Sequence, residues 1–317
     1  MTDIKEKNDS YKFENSLANE FAKEVLKEQR KTRRWGIFFK LIIAVYIAAF
    51  FVIYIYENNS LRSFSPQKHT AVIEINGIIS TETAANADFI ITGLRNAYRD
   101  ENTQGIILRI NSPGGSPVQA GYVNDEIKRL REKHPDIPVF AVITDICTSG
   151  GYYIAVAADK IFANKASIVG SIGVVMSGFG FVDAIEKLGI ERRLLFSGDS
   201  KALMDPFIPI DFFEQKHMQK ILDKIHQQFI SVVKDGRGEN IRNQYEEELF
   251  SGLIWSGEES VKLGLIDGLA STSEVARDII GNEYIINYTK RENYFDRFAK
   301  QIGTAFFHSF GTTYRAR

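Results

Sequence analysis

Thr144-Asp-Ile-Cys-Thr-Ser-Gly-Gly-Tyr-Tyr153 is a turn that joins two apolar segments of the chain. The run before it, 139–143, predicts a buried strand, and the run after it, 152–158, predicts a buried helix. Ser149 therefore lies where a strand passes into a helix, and the first N–H groups of a helix suit a developing oxyanion. We predict that Ser149 is a nucleophile. The alternative is a serine that only caps the helix before a tight glycine turn.

Strand-like and helix-like segments alternate on both sides of this turn. Further strands are predicted at 71–76 and 105–110, helices at 84–98, 118–133, 212–233 and 257–263, and short apolar segments at 160–163 and 172–176. Strands that alternate with helices indicate an α/β domain with a mostly parallel sheet covered by helices. We expect this domain to span residues 70–290.

Composition excludes several classes of function. The chain has 317 residues, 44% of them hydrophobic, and a net charge of -1, which gives no electrostatic case for nucleic acid. None of the five histidines lies in a motif typical of a metal site, so we predict no metal. Cys147 is the single cysteine, so no intrachain disulfide forms, and we expect its thiol to pack beneath the turn.

The N-terminal region has the pattern of a membrane anchor. Residues 41–56 carry no charge, and the stretch back to residue 36 is interrupted only by Lys40, which is long enough to span a bilayer. We predict a cytoplasmic leader at 1–34, a transmembrane anchor at 35–56 and a linker at 57–69. Basic residues before the span place the N-terminus in the cytoplasm and the rest outside. A cleaved signal peptide is the alternative, but no small-residue cleavage site follows Tyr56.

The last part of the chain, 291–317, is predicted to be an amphipathic tail. Its apolar residues follow one side of a possible helix, at Phe295, Phe298, Ile302, Phe306 and Phe310. Such a stripe fits the membrane, a partner subunit or the tail's own domain, and the sequence leaves the three open.

Two further stretches carry candidate chemistry. Asn111-Ser-Pro-Gly-Gly115 follows a predicted strand, and its glycines allow close backbone approach to a ligand. Phe196-Ser-Gly-Asp-Ser-Lys-Ala-Leu-Met-Asp-Pro-Phe207 contains the isolated Lys201. A serine needs a base before it attacks a carbonyl, and lysine serves only as a neutral amine, which burial in a dry site favours. A solvated loop cation is the alternative for Lys201.

Five motifs together resemble the signal peptide peptidase A family, peptidase family S49. They are Ile110-Asn-Ser-Pro-Gly-Gly115, Thr148-Ser-Gly-Gly-Tyr-Tyr-Ile-Ala155, Ala158-Asp-Lys-Ile-Phe-Ala163, Val169-Gly-Ser-Ile-Gly-Val174 and Gly264-Leu-Ile-Asp-Gly268. The resemblance covers roughly residues 12–285 and is closest to the short, single-repeat bacterial form. It implies a Clp-protease/crotonase-like fold and a membrane-anchored serine endopeptidase that degrades released signal peptides and other apolar segments.

The resemblance also implies roles for individual residues. Ser149 matches the nucleophile, Lys201 the general base, and Ser171 a serine whose hydroxyl holds the lysine. The N–H groups of Gly114 and Gly150 would form the oxyanion hole. The family assembles into a dome-shaped homo-oligomer on the outer side of the bacterial inner membrane, with dyads completed at or near subunit contacts. No cofactor is implied.

The sequence departs from the family pattern in two places without losing a catalytic group. Cys147-Thr148 stands where small residues are expected, and the segment 177–180 differs from the usual loop. Two other functions remain open at this point: a crotonase-like acyl-CoA enzyme, which shares the paired-glycine oxyanion hole, and a non-catalytic membrane scaffold of the same fold.

Overall fold

The computed structural model describes residues 23–24, 26–31, 33–52 and 67–290. The chain divides into two compact units, 1–63 and 64–317. The predicted leader before residue 23, the end of the predicted anchor and most of the linker lie outside the described residues. The predicted C-terminal tail lies outside them as well.

The first unit contains helix α1, Leu26–Val52, whose 27 residues are long and apolar enough to cross a membrane. At about 1.5 Å per residue the helix measures about 40 Å, which exceeds the roughly 30 Å of a bilayer core. None of its apolar window is buried, and Val45 and Tyr46 expose most of their side chains. An N-terminal apolar helix is therefore present, and it begins earlier than the predicted boundary at residue 35.

The second unit is built on one mixed sheet. The strands are β1 His69–Asn76, β2 Thr103–Ser112, β3 Val139–Thr148, β4 Lys160–Ala163, β5 Ile168–Gly170, β6 Ile254–Ser256, β7 Gly268–Leu269 and β8 Ile285–Asn287. The main path runs β6-β5-β3-β2-β1-β8, and β4 pairs with β3 and β7. Every described pairing is parallel except β5 with β6. The predicted α/β class with a mostly parallel sheet is confirmed.

The helices that flank the sheet are α2 Ala87–Arg99, α3 Pro117–Lys133, α4 Gly150–Ala155, α5 Val182–Lys187, α6 Phe212–Arg237, α7 Glu246–Leu249, α8 Gly257–Leu263 and α9 Thr272–Glu274. Two 3-10 turns, Gly238–Asn240 and Asn243–Tyr245, and a π-helix, Val275–Ile280, complete the described regular structure.

Alternating side chains of the strands bury both faces of the sheet. Ala71, Ile73 and Ile75 of β1 join the large core beneath α2, α3 and α4, whereas Val72 joins a smaller core against the π-helix. A sheet covered on both faces needs near-continuous apolar strands. This requirement explains why β1, β2 and β3 are mostly apolar, with Glu74 interrupting β1 and Arg109 interrupting β2.

Strand β3 changes partner along its length, and this change positions the Ser149 turn. Residues 140–143 pair with β4, while residues 146–148 pair with β5. A register shift on β2 between Ile110 and Ser112 accompanies the change. The carboxyl end of β3 therefore lies between the glycine loop that follows β2 and the segment that follows β5.

The predicted apolar segment 172–176 is not a strand. The strand in this region is β5, and Ser171 leaves it with a φ of 53°. Val175 and Met176 then expose their side chains. The sequence predicted only a short apolar segment here, and apolar character alone does not distinguish a sheet strand from a segment directed away from the core.

Candidate active site

Ser149 lies directly after β3 in a backbone conformation that is rare for a residue with a side chain. Its φ is 51° and its ψ is -123°, and its N–H donates to the Gly170 carbonyl at 2.9 Å. A capping serine has extended dihedrals and accepts a hydrogen bond from the first turn, but Ser149 makes no side-chain cap bond. Such strain costs on the order of 1–3 kcal/mol and concentrates at active sites. The geometry disfavours the simple cap.

A cleft of about 650 Å³ opens in front of Ser149. Its apolar wall consists of Pro117, Val118, Tyr153, Val174, Val175, Ile225 and Phe229, and its other residues are Gly115, Ser149, Gly150, Ser171, Gly173, Gln228, Ser251 and Gly252. The rings of Tyr153 and Phe229 lie 5.1 Å apart, so α4 and α6 meet at this wall. Burial and the nearby Asp125 raise the pKa of Tyr153, which keeps its phenol neutral.

The glycine loop offers a different N–H group from the one that the sequence predicted. The Gly114 N–H donates to the buried Ser112 Oγ at 3.1 Å, and Gly114 does not line the cleft. Gly115 does line it, and a Cβ built on Gly150 would lie 3.2 Å from the Gly115 nitrogen. In the described part of the chain, neither Gly115 N–H nor Gly150 N–H has a backbone or side-chain acceptor. Two residues that line the cleft therefore each carry an N–H group without an acceptor among the described residues.

Both loop glycines are required by close backbone contacts. A Cβ on Gly114 would lie 2.7 Å from the Gly150 nitrogen and 2.7 Å from Ser149 Cβ. A Cβ on Gly115 would lie 2.1 Å from the Ile79 carbonyl oxygen. The absence of side chains lets the loop press against the Ser149 turn.

Ser171 also lines the cleft and is held by its own backbone. Its N–H donates to the Leu253 carbonyl at 2.7 Å, and its carbonyl accepts from the Gly173 N–H at 2.9 Å. His226 Nε2 lies 3.1 Å from the Ile172 carbonyl oxygen. Because a carbonyl only accepts, this nitrogen carries a proton, and α6 is tied to the Ser171 segment. The structure thus brings Ser149, Gly150 and Ser171 into one cleft.

The structure does not bring Lys201 into this cleft. Lys201 lies in a turn where its N–H donates to the Gly198 carbonyl at 2.9 Å, and its side chain is exposed. The turn belongs to residues 174–211, which we call the apolar arm. Many apolar side chains on this arm face solvent, among them Val175 at 86%, Phe179 at 82% and Leu195 at 98% exposure.

Cys147 is excluded as the nucleophile. Its side chain is fully buried, and burial raises the pKa of the thiol far above its ordinary value. A neutral, inaccessible thiol is unreactive. The prediction that Cys147 packs beneath the turn is confirmed. In the segments that the structure describes, no three His, Cys, Asp or Glu residues lie close enough to hold a metal ion.

Comparison with known proteins gives the family. The model of "Peptidase family S49" matches residues 131–280. The chain is 33% identical over 213 residues to "Putative protease slr0021" of Synechocystis sp.. The alignment covers 67% of this chain and 73% of that protein. The chain belongs to peptidase family S49. It is also 30% identical over 232 residues to "Putative signal peptide peptidase SppA" of Enterococcus faecium, which covers 71% of this chain and 66% of that protein.

Another relative differs in length. The chain is 39% identical over 190 residues to a protein of Brucella abortus named "Na(+)/H(+) antiporter NhaA". This match covers 60% of the chain, and the chain spans about 25% of that protein's length. The antiporter name describes the relative and is not carried over to this S49 chain.

Sequence reasoning missed three groups that shape the S49 site. Phe229 lies on the apolar stripe of α6, which predicted a packed helix without indicating that it closes a cleft. Asn124 donates from α3 to the Tyr153 carbonyl, and a single buried amide gives no signal in a sequence. Gly115 stands beside the predicted Gly114, and only the hydrogen bond from the Gly114 N–H to Ser112 Oγ shows that the Gly115 N–H is the unpaired one.

Proposed function

We propose that this S49 chain is a membrane-anchored serine endopeptidase with Ser149 as its nucleophile. The observation that carries the proposal is the strained backbone conformation of Ser149, whose side chain makes no cap bond. Ser149 also lines a cleft together with two residues whose N–H groups are unpaired. A serine that only caps a helix or packs in the core does not require this strained conformation. Membership of a peptidase family adds independent support.

In the proposed mechanism, neutral Lys201 takes the Ser149 hydroxyl proton while Oγ attacks the scissile carbonyl carbon. The oxyanion accepts hydrogen bonds from the Gly150 N–H and from the Gly115 N–H, which replaces the Gly114 N–H of the sequence-based prediction. The lysine returns its proton to the leaving amine, and water then hydrolyses the acyl-enzyme. Each oxyanion donor is typically worth about 3 kcal/mol.

Lys201 is proposed to reach the cleft of a neighbouring copy of the chain. In one chain it is exposed and outside the cleft, whereas a lysine base requires a dry site. The apolar arm that carries it exposes many large apolar side chains, and such clusters often mark sites of protein–protein contact. Burial of this arm between copies would form a homo-oligomer and would enclose the lysine beside Ser149 and Ser171.

The proposed substrates are apolar peptide segments, including signal peptides that have been released from their proteins. The cleft wall is largely apolar, which suits such side chains and excludes charged ones. The name of the Enterococcus faecium relative points to the same substrates. Helix α1 would anchor the enzyme in the bacterial inner membrane with the N-terminus in the cytoplasm and the peptidase unit outside.

Labelling with a fluorophosphonate from pH 6 to 10, followed by mass spectrometry, tests the assignment on the full chain in detergent. Labelling at Ser149 that is lost in Lys201→Met supports the dyad. His226→Asn is the matched control, because His226 is the histidine bonded next to Ser171. If His226→Asn abolishes labelling while Lys201→Met keeps it, a histidine is the base. If Ser149→Ala retains full peptidase activity, the nucleophile assignment is wrong.

A further inference from the structure

Asn124 is a buried polar residue whose side chain uses only part of its hydrogen-bonding capacity. It lies on the inner face of α3 with no exposed surface, and its Nδ2 donates to the Tyr153 carbonyl at 2.7 Å. Its Oδ1 is buried and has no hydrogen-bond partner among the described residues. Exchange of the two amide atoms would place two oxygens against each other, so the donor assignment is firm.

An apolar residue of similar size would avoid the cost of the unpaired oxygen. Burying an amide group with half of its capacity unused is unfavourable, whereas leucine at this position would pack against α4 without that cost. The single bond to Tyr153 is therefore the property that distinguishes asparagine from leucine here.

That bond connects the helix that follows Gly115 with the helix that begins at Gly150. Helix α3 begins two residues after Gly115, and helix α4 begins at Gly150. Near these starts, a Cβ built on Gly150 would lie 3.6 Å from Ala120 Cβ. About one turn further along α3, Asn124 bonds the carbonyl of Tyr153 within the short α4. The pair of contacts fixes α4 against α3 at both ends.

We propose that Asn124 is a positioning residue that sets the spacing between the Gly115 and Gly150 N–H groups. The inference rests on the proposed function, because the spacing matters only if both groups bind one oxyanion. Oxyanion donors act only within a narrow range of distance from the developing charge. Without the Asn124 bond, α4 can slide along α3 and carry Gly150 away from Gly115.

The test uses Asn124→Leu and Asn124→Asp in the full-length enzyme. Both variants remove the donor, the first with an apolar side chain and the second with a carboxylate of the same shape. We expect kcat to fall at least about tenfold, because a displacement of about 1 Å at a reacting centre can cost about a hundredfold. Affinity for a peptide aldehyde, which forms the tetrahedral adduct, should fall by the same factor.

Binding of an uncleaved peptide separates this role from a general loss of structure. Measured in a Ser149→Ala background, that binding should not change when Asn124 is also replaced. The matched control is Arg131→Met, which removes another α3 side-chain bond, to the Ala157 carbonyl beyond α4, together with the ion pair between Arg131 and Asp159. It should lower the unfolding temperature and leave kcat unchanged.

The outcomes distinguish this inference from the proposed function. If both Asn124 variants fold and keep the kcat and aldehyde affinity of the wild type, the positioning role is refuted while Ser149 remains the nucleophile. If peptide binding and aldehyde affinity fall equally, Asn124 is a structural residue only. If Ser149→Ala is active, the proposed function fails regardless of Asn124.

Discussion

A mixture of two inactive variants should recover activity if the dyad forms between copies of the chain. One variant, Ser149→Ala, keeps the lysine, and the other, Lys201→Met, keeps the serine. Each is expected to be inactive alone, because every site then lacks one member of the dyad. In a mixed oligomer, a Lys201→Met copy can supply Ser149 to a neighbour that supplies Lys201.

The size of the recovery follows from the arrangement. In a closed ring each cleft uses the serine of one copy and the lysine of the next, so an equal random mixture makes about a quarter of all sites complete. Activity should follow the product of the two fractions and should peak at equal amounts. A dyad within one chain predicts no recovery at any ratio.

The assay co-expresses the two variants with different tags, isolates complexes that carry both, and measures fluorophosphonate labelling of Ser149. Lys201→Met mixed with the Ser149→Ala, Lys201→Met double variant is the control, because it keeps Ser149 but offers no Lys201, and it should stay unlabelled. Mixed complexes that form but show no label would refute completion between copies. Labelling of Lys201→Met by itself would refute the lysine as base.

Three further predictions concern single residues. Ser112→Ala should lower the free energy of unfolding in urea by about 2 kcal/mol or more, because it removes both the acceptor of the Gly114 N–H and the donor to the Gly77 carbonyl. An unchanged free energy of unfolding would contradict these two contacts. The Arg129 guanidinium lowers the pKa of Glu126 from 4.5 to about 2, so the stability difference between wild type and Glu126→Gln should be complete above about pH 5 and shrink as pH falls toward 2; a difference that is constant with pH would be inconsistent with that pair. Cys147→Ala should retain Ser149 labelling, and N-ethylmaleimide should not inhibit the folded wild type.

Local sequence signals predicted the elements whose ends are set by their own residues. Helix α8 was predicted at 257–263 and has these bounds, because Ser256 and Glu259 form a capping box and Gly264 ends it in the left-handed region. A short apolar segment was predicted at 160–163, and strand β4 occupies these residues. Where cap and turn residues are explicit, the sequence alone locates an element to the residue.

The sequence could not predict whether Gly114 or Gly115 supplies the unpaired N–H group. Both residues are glycines after the same proline, and both have positive φ in the structure. The choice depends on Ser112, whose Oγ takes the Gly114 N–H and also donates to the Gly77 carbonyl at 2.6 Å. Such a bond joins segments far apart in the chain, so it follows from the fold and not from local pattern.

The position of Lys201 is the least predictable feature for a different physical reason. Apolar residues on the arm predict burial, but a sequence pattern does not say whether the covering surface belongs to the same chain or to another copy. In this chain the arm remains exposed while the core beneath α2, α3 and α4 is complete. The core of the chain therefore leaves the arm uncovered, and the proposed oligomer would supply both the missing cover and the cleft for the lysine.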